Sequence, residues 1–182
     1  MNATIRALVI GLLAVCAGCG TKELDRTEAK EFITAYYEYP NVEVRVFNSL
    51  MGYASEYSWL LEEGYLYGHR DAFHMQITNA GRPYEFPHCD DNGWCFATNM
   101  QRFKEVTGIK YENPDKSKAV VEFTVERYNI TPFGKQKKLT EGETVAYHVV
   151  IERYDDGWRI TTPKEKNYKV SDFPDVEEFL EN

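Results

Sequence analysis

The chain has 182 residues, a length that suits one domain with a hydrophobic core of its own. Its formal net charge is −8, and its one dense basic run is KQKK at residues 135–138, so nucleic acid is not an expected partner, because phosphates would repel an acidic surface. The 13 tyrosines, some clustered as AYYEY at residues 35–39, suit a half-buried surface or an interface.

The N-terminal segment has the layout of a secretory signal peptide. Arg6 precedes an apolar run over residues 7–15, and small residues follow. The run is too short to span a bilayer as a helix, which needs roughly 20 apolar residues. We therefore expect residues 1–18 to be a signal peptide and the remainder of the chain to be exported.

The residues after this run indicate a lipid anchor. Ala17 and Gly18 stand directly before Cys19, an arrangement that resembles the lipobox of bacterial lipoproteins. In that family the cysteine thiol receives a diacylglycerol group, and the signal peptide is cut just before it. The position that usually holds Leu is Cys16 here, and a box ending at Cys16 would place the bulky Val15 at the cleavage position. The resemblance therefore implies that Cys19 is lipidated.

The same resemblance implies a location and an order of segments. In Gram-negative lipoproteins an Asp just after the lipidated cysteine favours inner-membrane retention, whereas Gly20 and Thr21 stand here. The family pattern thus implies a protein anchored to the outer membrane and facing the periplasm. Residues 19–26 would form a short polar tether, and residues 27–182 a single periplasmic domain.

Two helices are predicted at the start of this domain. Residues 25–28 (DRTE) resemble a capping box, an apolar face follows at residues 32, 33, 36 and 37, and Pro40 would stop the helix. A second helix is predicted from about Asn48 to Glu63. Its apolar stripe consists of Leu50, Tyr53, Ala54, Tyr57, Leu60 and Leu61, and Gly64 is a natural stop.

A β-hairpin is predicted after the second helix. Residues 73–77 alternate apolar and polar side chains, and a turn at NAG would return the chain into a partner strand at residues 84–86. A helix followed by such a hairpin resembles the helix-wing part of winged-helix domains. Ile77, Thr78 and Gly81 also resemble the LT-x-x-G turn of small bacterial lipoproteins that carry a later cysteine.

The stretch HCDDNGWC at residues 88–95 contains two cysteines. With residues 91–93 as a three-residue hairpin loop that ends on a left-handed Gly93, Cys89 falls opposite Cys95. Directly opposed strand positions bring Cα atoms within about 4.5–5.5 Å, inside the range of a disulfide, and the periplasm is oxidising. We predict a disulfide between Cys89 and Cys95.

Two other chemistries compete for these cysteines. Zinc could use His88, Cys89 and Cys95, with Asp90 as a fourth ligand, but C-x5-C lacks the usual gap of two to four residues. Redox catalysis usually needs C-x-x-C at a helix start. The disulfide is therefore favoured, and neither a metal nor another cofactor is predicted.

The second half of the chain predicts an antiparallel meander. After a strand near residues 106–111 and a turn at Asn113-Pro114-Asp115, the strand AVVEFTVERY places Val121, Phe123 and Val125 on one side. TVAYHVVIERY and GWRIT follow, and matching their faces pairs Ile151 with Ile160. A short helix is predicted at residues 176–180.

The predicted fold class is α+β, with N-terminal helices and a hairpin packed on an antiparallel β-meander. Helices followed by a curved meander that ends in DDGWRI resemble cystatin-like and NTF2-like domains. This resemblance implies a cone-shaped pocket between helices and sheet, but a fold does not define an activity.

Catalytic signatures are missing from the sequence. It lacks a G-x-S-x-G elbow, an H-E-x-x-H helix, a P-loop and a dinucleotide fingerprint. The four histidines are scattered, His148 falls on the strand face opposite the core, and Asp155-Asp156 suits a turn. We therefore expect a protein without enzymatic activity.

Three functions stay open for such a protein. The first is a lipid-anchored periplasmic module that binds an envelope protein, in a sharper version an immunity protein against a toxin directed to the periplasm. The second is a carrier of a small ligand, whose pocket would be lined by aromatic residues such as Tyr57, Trp59, Tyr65 and Tyr67; a volume above about 300 Å³ would favour it. The third is a role in envelope maintenance or assembly.

Overall fold

The computed structural model describes residues 23–48, 55–68, 75–86, 93–163 and 168–169. In chain order its elements are α1 (Arg26–Tyr37), β1 (Asn41–Asn48), α2 (Ser55–Glu62), β2 (Leu66–Tyr67), β3 (Gln76–Ile77), β4 (Gly93–Tyr111), β5 (Lys118–Tyr128), α3 (Pro132–Gln136), β6 (Thr144–Tyr154), β7 (Gly157–Ile160) and β8 (Tyr168–Lys169). The main sheet is antiparallel, in the order β7-β6-β5-β4-β1-β8. This mixture of helices and antiparallel strands confirms the α+β class.

Helix α1 begins where the capping pattern predicts. The Asp25 carboxylate accepts a hydrogen bond from the main-chain N–H of Glu28 at 2.8 Å and so satisfies a donor of the first turn. The helix ends at Tyr37, before Pro40, and Ile33 is buried against the sheet. Leu24, which lies in the segment predicted as a tether, is buried in the same core cluster.

Strand β1 is the longest of the elements that the sequence prediction missed, which also include β2 and α3. Residues 41–48 (NVEVRVFN) pair with the first part of β4, and Asn48, the predicted start of the second helix, lies in this strand. The predicted start at Asn48 is therefore wrong, and the described part of helix α2 is Ser55–Glu62. The alternation of Val42, Val44 and Val46 with polar residues was a strand signal, because period-two patterns with β-branched side chains favour strands.

The meander is confirmed, including its register. Strand β5 buries Val121, Phe123 and Val125, and β6 pairs with it along its length. Strand β7 pairs Ile151 with Ile160, as the match of faces predicts, and Asp155-Asp156 forms the turn. Strand β4 is longer than expected because its first part pairs with β1 and its second part with β5. Irregularities near Phe103–Glu105 and Val106–Gly108 bend the part that pairs with β5.

The predicted hairpin between residues 73–77 and 84–86 is wrong. Strand β3 pairs with β2, and residues 82–84 form a short 3-10 helix. The Thr78 hydroxyl donates to the carbonyl oxygen of Gly64 at 2.6 Å. A Cβ on Gly81 would lie 2.6 Å from the Tyr65 carbonyl oxygen, so the turn packs closely against the segment that follows α2. The predicted helix at residues 176–180 lies outside the described residues.

Candidate functional site: a tyrosine-rimmed cleft

A cleft of about 630 Å³ opens on the sheet face that α1 covers, next to the C-terminal end of this helix. We call this face the inner face; it carries Phe103, Val125 and Val149. The cleft is lined by Tyr37, Tyr39, Asn41, Val42, Glu43, Val44, Gln101, Phe123, Ala146, Tyr147, His148, Thr162 and Pro163.

The inner face changes from apolar to polar where α1 ends. Along β5, Val125 is followed two residues later by Arg127, and along β4, Phe103 is preceded by Gln101. The register sets Gln101 opposite Arg127 on one side and opposite Asn41 on the other, so these polar side chains share the inner face. The cleft therefore has a polar floor beside an apolar core.

An arginine holds this floor together. The Arg127 side chain is 13% exposed, and its Nε and Nη2 contact Glu43 Oε2 at 3.2 and 3.1 Å. Its Nη1 donates to Glu143 Oε2 at 3.0 Å. Gln101 Nε2 also donates to Glu43 Oε2, at 2.8 Å. Burial lowers the pKa of Arg127, but the two carboxylates outweigh that effect and raise it above its ordinary value.

Aromatic rings form one wall of the cleft. Phe123 lies at the centre, with ring centroids 5.9 Å from Tyr37 and 5.8 Å from Tyr147. Tyr39 packs against Tyr37 at 5.8 Å. Burial, and after it the neighbouring phenols of Tyr147 and Tyr37, raise the pKa of Tyr39 well above its ordinary value of 10.0. Tyr39 therefore presents a neutral hydroxyl at neutral pH.

Tyr39 is expected to make the protein less stable in alkali. Its pKa is raised in the folded state, so its contribution is complete below about pH 10 and is lost as the pH rises and the unfolded chain deprotonates first. This group should cost about 1 kcal/mol of unfolding free energy between pH 10 and pH 11. Urea unfolding of Tyr39→Phe should show a flatter pH dependence than the parent, with the exposed Tyr154→Phe as control. Parallel curves for parent and Tyr39→Phe would contradict this assignment.

The far wall is tied down by hydrogen bonds to the segment after β7. The Tyr36 hydroxyl donates to the carbonyl oxygen of Thr162 at 2.8 Å, and the Thr162 hydroxyl accepts from the main-chain N–H of Val150 at 2.7 Å. His148 is exposed and alternates with the buried Val149, as the strand pattern predicts. The hydrogen bonds hold in place the segment after β7, whose Thr162 and Pro163 line the cleft.

Only Cys95 of the predicted disulfide lies within the described residues. Cys95 is buried and forms a disulfide, whereas Cys89 and the predicted lipidation site Cys19 lie outside the described residues. The pairing of Cys89 with Cys95 stays a prediction. The hairpin register behind it is wrong: Gly93 already belongs to β4, and Cys95 is flanked by Val46 of β1 and by Phe86, whose N–H donates to its carbonyl oxygen at 2.7 Å.

None of the described aromatic residues that were predicted to line a pocket lines the cleft. Trp59 and Tyr65 pack against Phe133, with ring centroids 5.5 and 5.0 Å away, and so fill a core. Tyr67 is 54% exposed and hydrogen-bonded to Gln76, and the side chain of Tyr57 lies outside the described residues. The prediction of a pocket lined by these residues is therefore wrong, and a different set of tyrosines surrounds the cleft.

Among the residues that the structure describes, no three His, Cys, Asp or Glu side chains are grouped so that they could hold a metal ion. No helix in this part of the chain has both the length and the apolar character needed to cross a bilayer. Comparison with protein-family models, curated proteins and solved structures gave no match.

Proposed function

We propose that this protein is a non-enzymatic carrier that holds a small molecule in the cleft on the inner face. The observation that carries the proposal is the cleft itself, because its volume of about 630 Å³ falls within the roughly 300–1,000 Å³ typical of small-molecule sites. It also combines apolar aromatic walls with a few convergent polar groups, as such sites commonly do. The resemblance to cystatin-like and NTF2-like domains is in keeping with a pocket at this place.

The polar floor suits binding better than proton transfer. Glu43 Oε2 accepts hydrogen bonds from Gln101 and from two nitrogens of Arg127, so it is a fixed acceptor. All three guanidinium nitrogens of Arg127 are engaged with carboxylates. Groups held in this way orient a ligand and are poorly placed to shuttle protons.

We also propose that a lipid on Cys19 anchors this carrier to the outer membrane. The anchor would precede α1, whereas the cleft lies at the other end of this helix. Twelve helical residues span about 18 Å. The cleft would thus lie away from the attachment point and open to solutes of the periplasm.

The test is a protein-observed NMR screen of the full chain carrying Cys19→Ser, purified from the periplasmic fraction. A library of small acids, amines and neutral compounds should yield hits that shift amides of the cleft, such as those of Gln101 and Tyr147. Tyr147→Ala should weaken these hits, whereas Tyr154→Ala, an exposed tyrosine on the same strand, should not. The Cys19→Ser chain should leave the membrane fraction, and its retention there would contradict the anchor. A screen without cleft hits would contradict the carrier.

A protein-binding module is the second candidate. Among the described residues, β7 pairs only with residues 151–154 of β6, so no described strand covers the outer edge of residues 144–149. An uncovered edge can accept an extended segment of another protein. A crosslinking pull-down from the native envelope that captures one stoichiometric partner, together with an empty screen, would favour this candidate; the partner's identity would separate immunity from envelope assembly.

A further inference from the structure

We propose that the ligand of the cleft is a small organic cation, an ammonium group with apolar substituents. This inference rests on the proposed carrier function and specifies its ligand class. It follows from the charge of the floor, the nature of the wall and the state of the hydrogen-bonding groups that face the cleft.

The charge of the floor favours a cation. Among the described lining residues, Glu43 is the one acid, and lysine and arginine are absent from the set. Arg127, beneath it, is shared between Glu43 and Glu143, so two carboxylates face one guanidinium and leave the group with one net negative charge. A positively charged ligand would therefore complete the balance of charge in the cleft.

The engaged arginine also argues against an anion. An anionic ligand needs donors, but Arg127 Nε and Nη2 already contact Glu43 and Nη1 contacts Glu143. Its side chain is only 13% exposed. An acid entering the cleft would meet the Glu43 carboxylate without a free guanidinium to offset it, so the site discriminates against negative charge.

The wall supplies what an ammonium group prefers. The faces of tyrosine and phenylalanine rings carry negative electrostatic potential that attracts cations. Tyr37 and Tyr147 pack on the buried Phe123 with ring centroids 5.9 and 5.8 Å away, so this ring positions two tyrosine rings that border the same space as Glu43. Aromatic rings beside one carboxylate match the apolar substituents and the charge of such a ligand.

Two hydroxyl groups remain available to the ligand. Tyr39 and Tyr147 line the cleft, and within the described residues neither hydroxyl makes a hydrogen bond. A phenol oxygen accepts hydrogen bonds from N–H or O–H groups. These oxygens can therefore accept a hydrogen bond from an amine of the ligand or from a hydroxyl group next to that amine.

A matched series of probes separates charge from shape. Choline, its neutral isostere 3,3-dimethylbutan-1-ol and the anion 3,3-dimethylbutanoate have nearly the same apolar head. Each is titrated by NMR into the full chain carrying Cys19→Ser. Choline should shift the cleft amides and bind about tenfold more tightly than the alcohol, and the anion should bind most weakly.

Two isosteric variants assign the preference to Glu43. Glu43→Gln should reduce the tenfold preference for choline to about onefold, while Glu122→Gln, an exposed acid on the opposite face of β5, should leave it unchanged. Equal binding of choline and the alcohol in the cleft would overturn the cation and leave the carrier standing. Stronger binding of the anion, or no shift of the cleft amides with any probe, would also overturn the proposal that the ligand is a cation. The broader screen tests the carrier function separately.

Discussion

Phe133→Ala should destabilise the protein by about 3–5 kcal/mol, the largest effect that we expect from a single substitution. Phe133 is 1% exposed, and its ring stacks on Phe96 with centroids 4.2 Å apart and planes within 9°. It also meets Trp59, Tyr65 and Tyr84 at 5.5, 5.0 and 5.6 Å. Alanine would leave a cavity bordered by four rings that belong to separate segments of the chain.

Urea unfolding followed by tryptophan fluorescence measures this loss under non-reducing conditions. Phe133→Leu is the matched control, because it keeps most of the volume and should cost about 1–1.5 kcal/mol. The site also resists collapse on its other side, since a Cβ on Gly134 would lie only 2.2 Å from the Thr98 carbonyl oxygen. A loss below about 1 kcal/mol for the alanine variant would mean that this cluster is not a core.

Arg127→Met is the second large effect, with an expected loss of about 2–3 kcal/mol. Removing one partner of a buried ion pair usually costs about 3–5 kcal/mol, because the remaining charge is left without compensation. The partners Glu43 and Glu143 are 30% and 40% exposed, so solvent screens part of this cost and the expected value is lower. Most of the loss should come from Glu43, which holds two of the three contacts.

A surface ion pair and a double variant serve as controls for Arg127. Arg159→Met removes the exposed pair with Asp156 and should change stability by at most about 0.5 kcal/mol. Combining Arg127→Met with Glu43→Gln should recover part of the loss, because the unpaired carboxylate is then absent. If the Arg127 and Arg159 variants lose equal stability in urea unfolding, the floor of the cleft is solvated and not structural.

Local patterns in the sequence predicted those elements whose stabilising contacts are close in sequence. The start of α1 depends on the side chain of Asp25 and an N–H three residues away. The pairing of β6 with β7 depends on one tight turn and on which side chains alternate, so the register with Ile151 opposite Ile160 followed directly. Such features need no knowledge of the remainder of the fold.

The errors arose where a distant partner decided the outcome. Residues 73–77 have the alternation of a strand, but β3 pairs with β2 because the Thr78–Gly81 turn packs on Tyr65 and Gly64. Trp59 and Tyr65 have the composition of a pocket wall, yet Phe133, more than 60 residues later, fills the space between them. Side-chain type alone does not distinguish a core from a pocket.

By itself, the sequence determined the α+β class, the capped first helix and the meander, because hydrophobic period and turn chemistry are local properties. It also carries the predictions of a lipid on Cys19 and of a disulfide between Cys89 and Cys95. Only the tertiary structure decided where the candidate site lies. Its floor joins Glu43, Gln101, Arg127 and Glu143 through the register of separate strands, and its existence depends on α1 ending before it covers the sheet. Those relations depend on how strands far apart in sequence pair in the folded chain, which no local pattern encodes.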